Sequence, residues 1–130
     1  MNRKTAWASL IILLSGLMLS TAHAARLSTA LQVELQTAML TYNDSILSDG
    51  SYLYLDTRTD TMRVIYPANA HPFIVSLGEH YFVCSEFIDD NGDSITADYL
   101  VRKIQGKYKV VQMIIDDRES LSKAMKKAGR

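Results

Sequence analysis

Residues 79–115 read EHYFVCSEFIDDNGDSITADYLVRKIQGKYKVVQMII, and the fold turns on this stretch. From Glu79 to Ile88, side chains alternate with a period of two. His80, Phe82, Cys84, Glu86 and Ile88 fall on one face, and Tyr81, Val83, Ser85 and Phe87 on the other. That period, in residues rich in aromatic and β-branched types, predicts a strand. Asp89-Asp90-Asn91-Gly92-Asp93 then carries an Asn-Gly turn signal. Ser94–Ile104 reads as a returning strand, Gln105-Gly106-Lys107 as a second turn, and Tyr108–Ile115 as a third strand. Connections this short join only antiparallel neighbours, because a parallel return needs a crossover of about a dozen residues. An antiparallel meander is therefore expected.

The same period runs upstream. Ser51–Asp56 and Thr61–Tyr66 read as two strands of a hairpin around the polar connector Thr57-Arg58-Thr59-Asp60. Pro67 and Pro72 bracket Ala68-Asn69-Ala70-His71. Neither proline can donate to a ladder, so 67–72 reads as a loop, with a short strand over Phe73–Leu77 and a turn at Gly78. Before the hairpin, Leu31, Leu35, Ala38, Met39, Tyr42 and Ile46 follow helical spacing, and 28–47 reads as an amphipathic helix. Thr29 with Gln32 fits a capping box and Ser28 is an alternative cap. Gln32, Glu34, Gln36, Thr37 and Asn43 are placed on the polar side, and Asp49-Gly50 closes the segment. After the meander, Asp116 as cap with Glu119 opens a C-terminal helix, with Leu121, Ala124, Met125 and Ala128 on its apolar side.

The expected architecture is α+β: an N-terminal helix packed on an antiparallel meander of five to six strands, then a C-terminal helix. The sheet's second face is too apolar to stay wholly wet. It is expected to meet the C-terminal helix, to form a pocket, or to pair with a second copy.

Residues 1–24 have the order of an export signal. Arg3 and Lys4 are followed by the apolar run Ala6–Leu19, and Ala22-His23-Ala24 provides small residues for a signal peptidase. The apolar run falls short of the ~20 residues that cross a bilayer. The expectation is a periplasmic or secreted domain, residues 25–130, with no membrane anchor after cleavage. The chain has 14 basic and 14 acidic residues. Loss of Arg3 and Lys4 leaves a slight acidic excess, so no basic field for nucleic acid is expected.

Cys84 is the only cysteine, so no disulfide can form within the chain. Its place in an apolar strand reads as a small buried hydrophobe; the sharper reading is a reactive thiol, which adjacent Glu86 disfavours. The acidic turn at 89–93 fails as an EF-hand, because setting Gly92 sixth puts Phe87 first, where an oxygen ligand is needed. His71, His80 and Cys84 could be assembled into a zinc set, but His80 and Cys84 are roughly 13 Å apart along an unbent strand. Ser85 or Cys84 near His80 offers parts for nucleophilic catalysis, without a nucleophile elbow. No phosphate-binding glycine motif occurs. No catalytic residue, metal or cofactor is assigned on these grounds.

The seven tyrosines stand out. Tyrosine has an apolar body and a polar tip and suits interfaces and pocket rims. Tyr52 and Tyr54 share a strand face, and with Tyr66, His71 and His80 they make up the candidate binding surface.

Two stretches carry resemblances. Tyr66–Pro72, Leu77–Tyr81 and Cys84–Phe87 resemble small exported proteobacterial proteins of uncharacterised function, a similarity that brings no activity with it. Asp98–Lys103 with Gly106–Val111 resembles the final hairpin of cystatin-like and NTF2-like domains. The chain departs from the latter in having one helix before the sheet and another after it.

The leading functional expectation is an exported, non-catalytic binding or protein-interaction domain, with a protein partner or a homodimer through the sheet. The alternative is a carrier of a small apolar ligand held between helix and sheet. An enzyme using His71 or His80 with a nearby acid or Cys84 comes third.

Overall fold

A computed structural model describes residues 26–129. The expected export signal at 1–24 lies outside them. The chain forms α1 (Thr29–Ile46), β1 (Tyr52–Asp56), β2 (Thr61–Leu77), β3 (His80–Asp89), β4 (Ser94–Ile104), β5 (Lys107–Ile115) and α2 (Arg118–Lys127). The strands make one open antiparallel sheet in the order β1-β2-β3-β4-β5. The fold is the α+β meander that the alternation predicts.

Five strands form, not six, because β2 runs through the segment that reads as a loop. Pro67 and Pro72 both sit inside it. The β2–β3 register shifts between Pro67 and Ala70 and again between Ala70 and Ile74. Pro72 falls within the second shift, where residues go unpaired, while Pro67 keeps register with Phe87 but lies beyond the last β1 pair, on an edge where a missing N–H is tolerated. This half of β2 is also a sheet edge, since β1 pairs only with Thr61–Ile65.

The turns follow their chemistry. Gln105 and Gly106 both have positive φ, 49° and 79°, which matches the primed two-residue turn that suits twisted strands. The 89–93 connection is longer and is braced by a side chain. Asp89 Oδ1 accepts from the backbone N–H of Asn91 and of Asp93, both at 2.9 Å.

One face of the sheet holds the core. Leu35 and Met39 from α1 meet Ile65, Val83, Phe87, Ile95, Ala97, Tyr99 and Val101. Register explains the selection: Val83 pairs with Tyr99, Ser85 with Ala97 and Phe87 with Ile95, so alternate residues of β3 and β4 share the α1 side. Asn43, expected on the polar side of α1, is buried instead. It lies four residues beyond Met39 and eight beyond Leu35, on the core stripe. Its Oδ1 accepts from the Tyr99 hydroxyl at 2.8 Å, and the Ser85 hydroxyl lies 2.9 Å from the same Tyr99 oxygen. The network satisfies three buried polar groups together, as the low-dielectric interior requires.

The caps are settled by geometry. Ser28 caps α1 and accepts from the Leu31 N–H. Gln32 donates to the Leu27 carbonyl rather than closing a box. Asp117, not Asp116, caps α2, accepting from Ser120; Asp116 takes φ 53° and turns the chain. None of the described residues of α2 is fully buried. Its anchor is Arg118, whose guanidinium meets Asp98 at 3.0 Å on the sheet face away from α1. Leu53, Leu55 and Met62, also on that outer face, remain 58%, 56% and 60% exposed.

Candidate functional site

The sheet curls until its two outer strands border one slot. Among the described residues β1 pairs only with β2, and β5 only with β4, so each presents a free edge. Tyr52, Tyr54 and Leu55 of β1, Gln112 and Ile114 of β5, and Tyr42 of α1 line a cavity of about 580 Å³ between them. Arg58, from the β1–β2 turn, crosses one end. It donates to Asp56 through Nε and Nη2, at 3.0 Å each, and to the carboxylate and backbone carbonyl of Asp116, just past β5. These hydrogen bonds hold the Asp56 carboxyl well below the usual range, at about 2. Arg63 also approaches Asp56, at 3.6 Å, and pairs with Asp89 at 2.9 Å.

Tyr52 and Tyr54 do share a face, the α1 side, opposite Ile65 and Arg63. Their rings are parallel to within 3°, with centroids 6.1 Å apart. Among the described residues the buried Tyr54 hydroxyl has no hydrogen-bond partner. Burial pushes both phenols up. Tyr66 is not part of this group. It pairs with Ile88, half-exposed on the outer face, where nearby Asp90 pushes its phenol up.

The histidines separate as well. His71, on the bulged part of β2, brings Nδ1 to 3.3 Å from Cys84 Sγ and Nε2 to 3.6 Å from Glu86 Oε2. The strand that reads as a loop thus delivers His71 to Cys84, whereas His80 lies at the far end of the sheet. There its buried Nδ1 has no partner among the described residues, and it borders a 390 Å³ cavity with Tyr81, Arg102 and Tyr108. Across the ladder from Cys84 stands Asp98, whose side chain is 4% exposed; Oδ1 meets Arg118 and Oδ2 has no partner among the described residues. Burial pushes the Asp98 carboxyl up. Among the described residues, no group of three or more His, Cys, Asp and Glu has the arrangement of a metal site.

Comparison with protein-family models, curated proteins and solved structures found no match for this chain. What the sites can do therefore rests on their chemistry alone.

Cys84, His71 and Glu86 have the order of a nucleophile, a base and an orienting acid. Ser94 and Asn69 hold the Glu86 carboxyl below its usual range. The thiol, however, is only 6% exposed. Burial pushes its pKa up, with Arg118 opposing. A thiol in that state is protonated and poorly reachable. Each unit of upward shift removes about tenfold of the thiolate. Iodoacetamide at pH 7 is expected to alkylate the folded protein at least about tenfold more slowly than the urea-unfolded chain. Equal rates, read by mass, would mean that His71 activates an accessible thiol.

A second cavity of about 610 Å³ lies between α1 and β5, bordered by Val33, Thr37, Ala38, Tyr108 and Val110. It is mainly apolar. Sequence reading missed Arg58, Asp56 and Asp116, which sit in connectors or, for Asp56, at the last position of β1, where polarity alone signals nothing. It also missed Asp98 and Arg118, whose pairing depends on where α2 begins.

Proposed function

We propose that this chain is an exported, non-catalytic binding domain that engages a protein partner through the slot between β1 and β5. The observation that carries the reading is two unpaired strand edges bordering one 580 Å³ cavity walled by Tyr42, Tyr52 and Tyr54. Amphipathic aromatic walls suit recognition, because they contribute large contact area with few rotatable bonds. A volume of this size is in the usual range for binding sites. The export reading of residues 1–24 places the interaction outside the cytoplasm, and the slight acidic excess of residues 25–130 fits a partner other than nucleic acid.

The test is photo-crosslinking in cells from a benzophenone amino acid at Gln112. A protein adduct is expected, and it should disappear when Tyr52→Ala and Tyr54→Ala are combined. Circular dichroism of the double variant should stay unchanged, since both side chains are only half-buried. An adduct that survives the double substitution would remove the slot from the interaction.

The apolar cavity between α1 and β5 favours one second reading, a carrier of a small apolar ligand. Native mass spectrometry separates the two. An excess mass that vanishes on denaturation, and is lost in Ala38→Trp, would move the assignment to the carrier.

A further inference from the structure

We infer that the occupant of the slot is an extended segment of a partner protein, added as a sixth strand antiparallel to both β1 and β5. The inference rests on the binding role proposed above and names the chemistry of its partner.

Strand parity is the first argument. In an antiparallel sheet of five strands in sequence order, β1 and β5 run the same way. The ends of both strands confirm their direction: Arg58, just past β1, is tied to Asp116, just past β5. Closing the sheet directly would need a parallel β1–β5 pair. One inserted strand of opposite direction is antiparallel to both, and the closed six-stranded barrel then alternates throughout, as up-and-down barrels do.

Main-chain chemistry is the second. Every other residue of a free edge directs its N–H and C=O away from its own sheet. Here two such rows border the same cavity, so a chain between them would be hydrogen-bonded on both sides. Strand addition at an edge ordinarily satisfies one side only. Side chains of the added strand would alternate between Tyr42, Tyr52 and Tyr54 within the curl and Leu53, Leu55 and Ile114 outside it. A segment with apolar residues on both faces is therefore favoured.

Length and polarity follow. β1 has five residues, and the Arg58 bridge crosses the slot at its end. At roughly 3.3 Å per residue, four or five residues of the partner fit. An antiparallel strand begins where β1 and β5 end, and there Asp56, Asp116 and Asp117 outnumber Arg58 and Arg63. A lysine or arginine at the N-terminal side of the segment is favoured. Proline within it is excluded, since both of its edges donate.

The experiment uses the chain expressed with its leader and purified after export, as bait for phage-displayed random linear nonapeptides. The best peptide is then synthesised as it stands and with alternate residues N-methylated. Selection of proline-free peptides with a basic N-terminal side is expected. N-methylation should weaken binding by about tenfold or more, as loss of several hydrogen bonds predicts. Hydrogen exchange should slow in β1 and β5 together. If Tyr52→Ala with Tyr54→Ala leaves binding intact, the slot itself is not the site, and the binding reading falls with the inference. If that variant abolishes binding but N-methylation is harmless, or only one edge is protected, the slot stands and strand insertion is overturned. Failure to select any linear peptide overturns it too. A dimer that protects both edges without peptide assigns the slot to a second copy and also overturns it.

Discussion

Phe87→Ala is expected to destabilise the domain by about 3–5 kcal/mol, the cost of deleting a fully enclosed aromatic ring. Phe87 is 0% exposed, in a core that also holds Leu35, Ile65, Val83 and Tyr99. The neighbours belong to a helix and three strands whose backbones are tied by ladders, so collapse into the vacated space is limited. The effect is a large fraction of what a domain of this size has to lose. Urea unfolding should show a lower midpoint at an unchanged slope. A loss under about 1 kcal/mol would mean that the sheet is not packed against α1 through this residue.

Acid is expected to unfold the domain early, and the slot end is where much of that sensitivity arises. Asp56 is held at about 2, first by its hydrogen bonds with Arg58. Asp89 is lowered mainly by the Asp93 backbone, Glu86 by Ser94 and Asp117 by Ser120. In the unfolded chain these groups titrate near 4. A carboxyl whose folded pKa is lowered binds protons more weakly in the fold, so its contribution is present above about pH 4 and is lost as pH falls toward 2. Asp98 acts in the opposite direction. Burial raises it, so its contribution favours the fold at low pH and fades as pH rises through the raised value. The windows differ: Asp98 acts above about pH 4 and the four lowered groups below it, so the slope between pH 4 and pH 2.5 is toward acid lability. The urea midpoint should fall steadily between pH 4 and pH 2.5. Arg58→Ala should flatten that fall while lowering the midpoint at pH 7. A midpoint unchanged across the interval would refute the assignment of Asp56 to an ion pair in the fold.

The same bridge connects stability to binding. Arg58 joins the turn after β1 to the end of β5, so it fixes the spacing of the two edges that border the slot. Protonating Asp56 would weaken that end. The outer face at β1 and β2 remains apolar around Leu53, Leu55 and Met62, and an added strand would extend this face.

The sequence by itself determined the meander, because a side-chain period of two and the Gln105-Gly106 and Asn91-Gly92 turns are local properties that neighbours along the chain express without help. It determined α1 and its core stripe for the same reason, through the spacing of Leu35, Met39 and Tyr42. It also put Tyr52 and Tyr54 on one face. Tertiary structure alone decided what depends on partners distant in sequence. Pro72 could enter β2 because the ladder with β3 shifts there, and Pro67 because β1 pairing stops at Ile65 and leaves it on an edge, facts of pairing rather than of composition. Asn43 went inside because Tyr99, 56 residues away, offers it a hydrogen bond. His71 met Cys84, and not His80, because a bulged strand passes beside β3. The slot is the furthest from local information. It exists because curl accumulated over five strands carries the first edge round to the last, and an arginine in an unremarkable polar turn holds the two together.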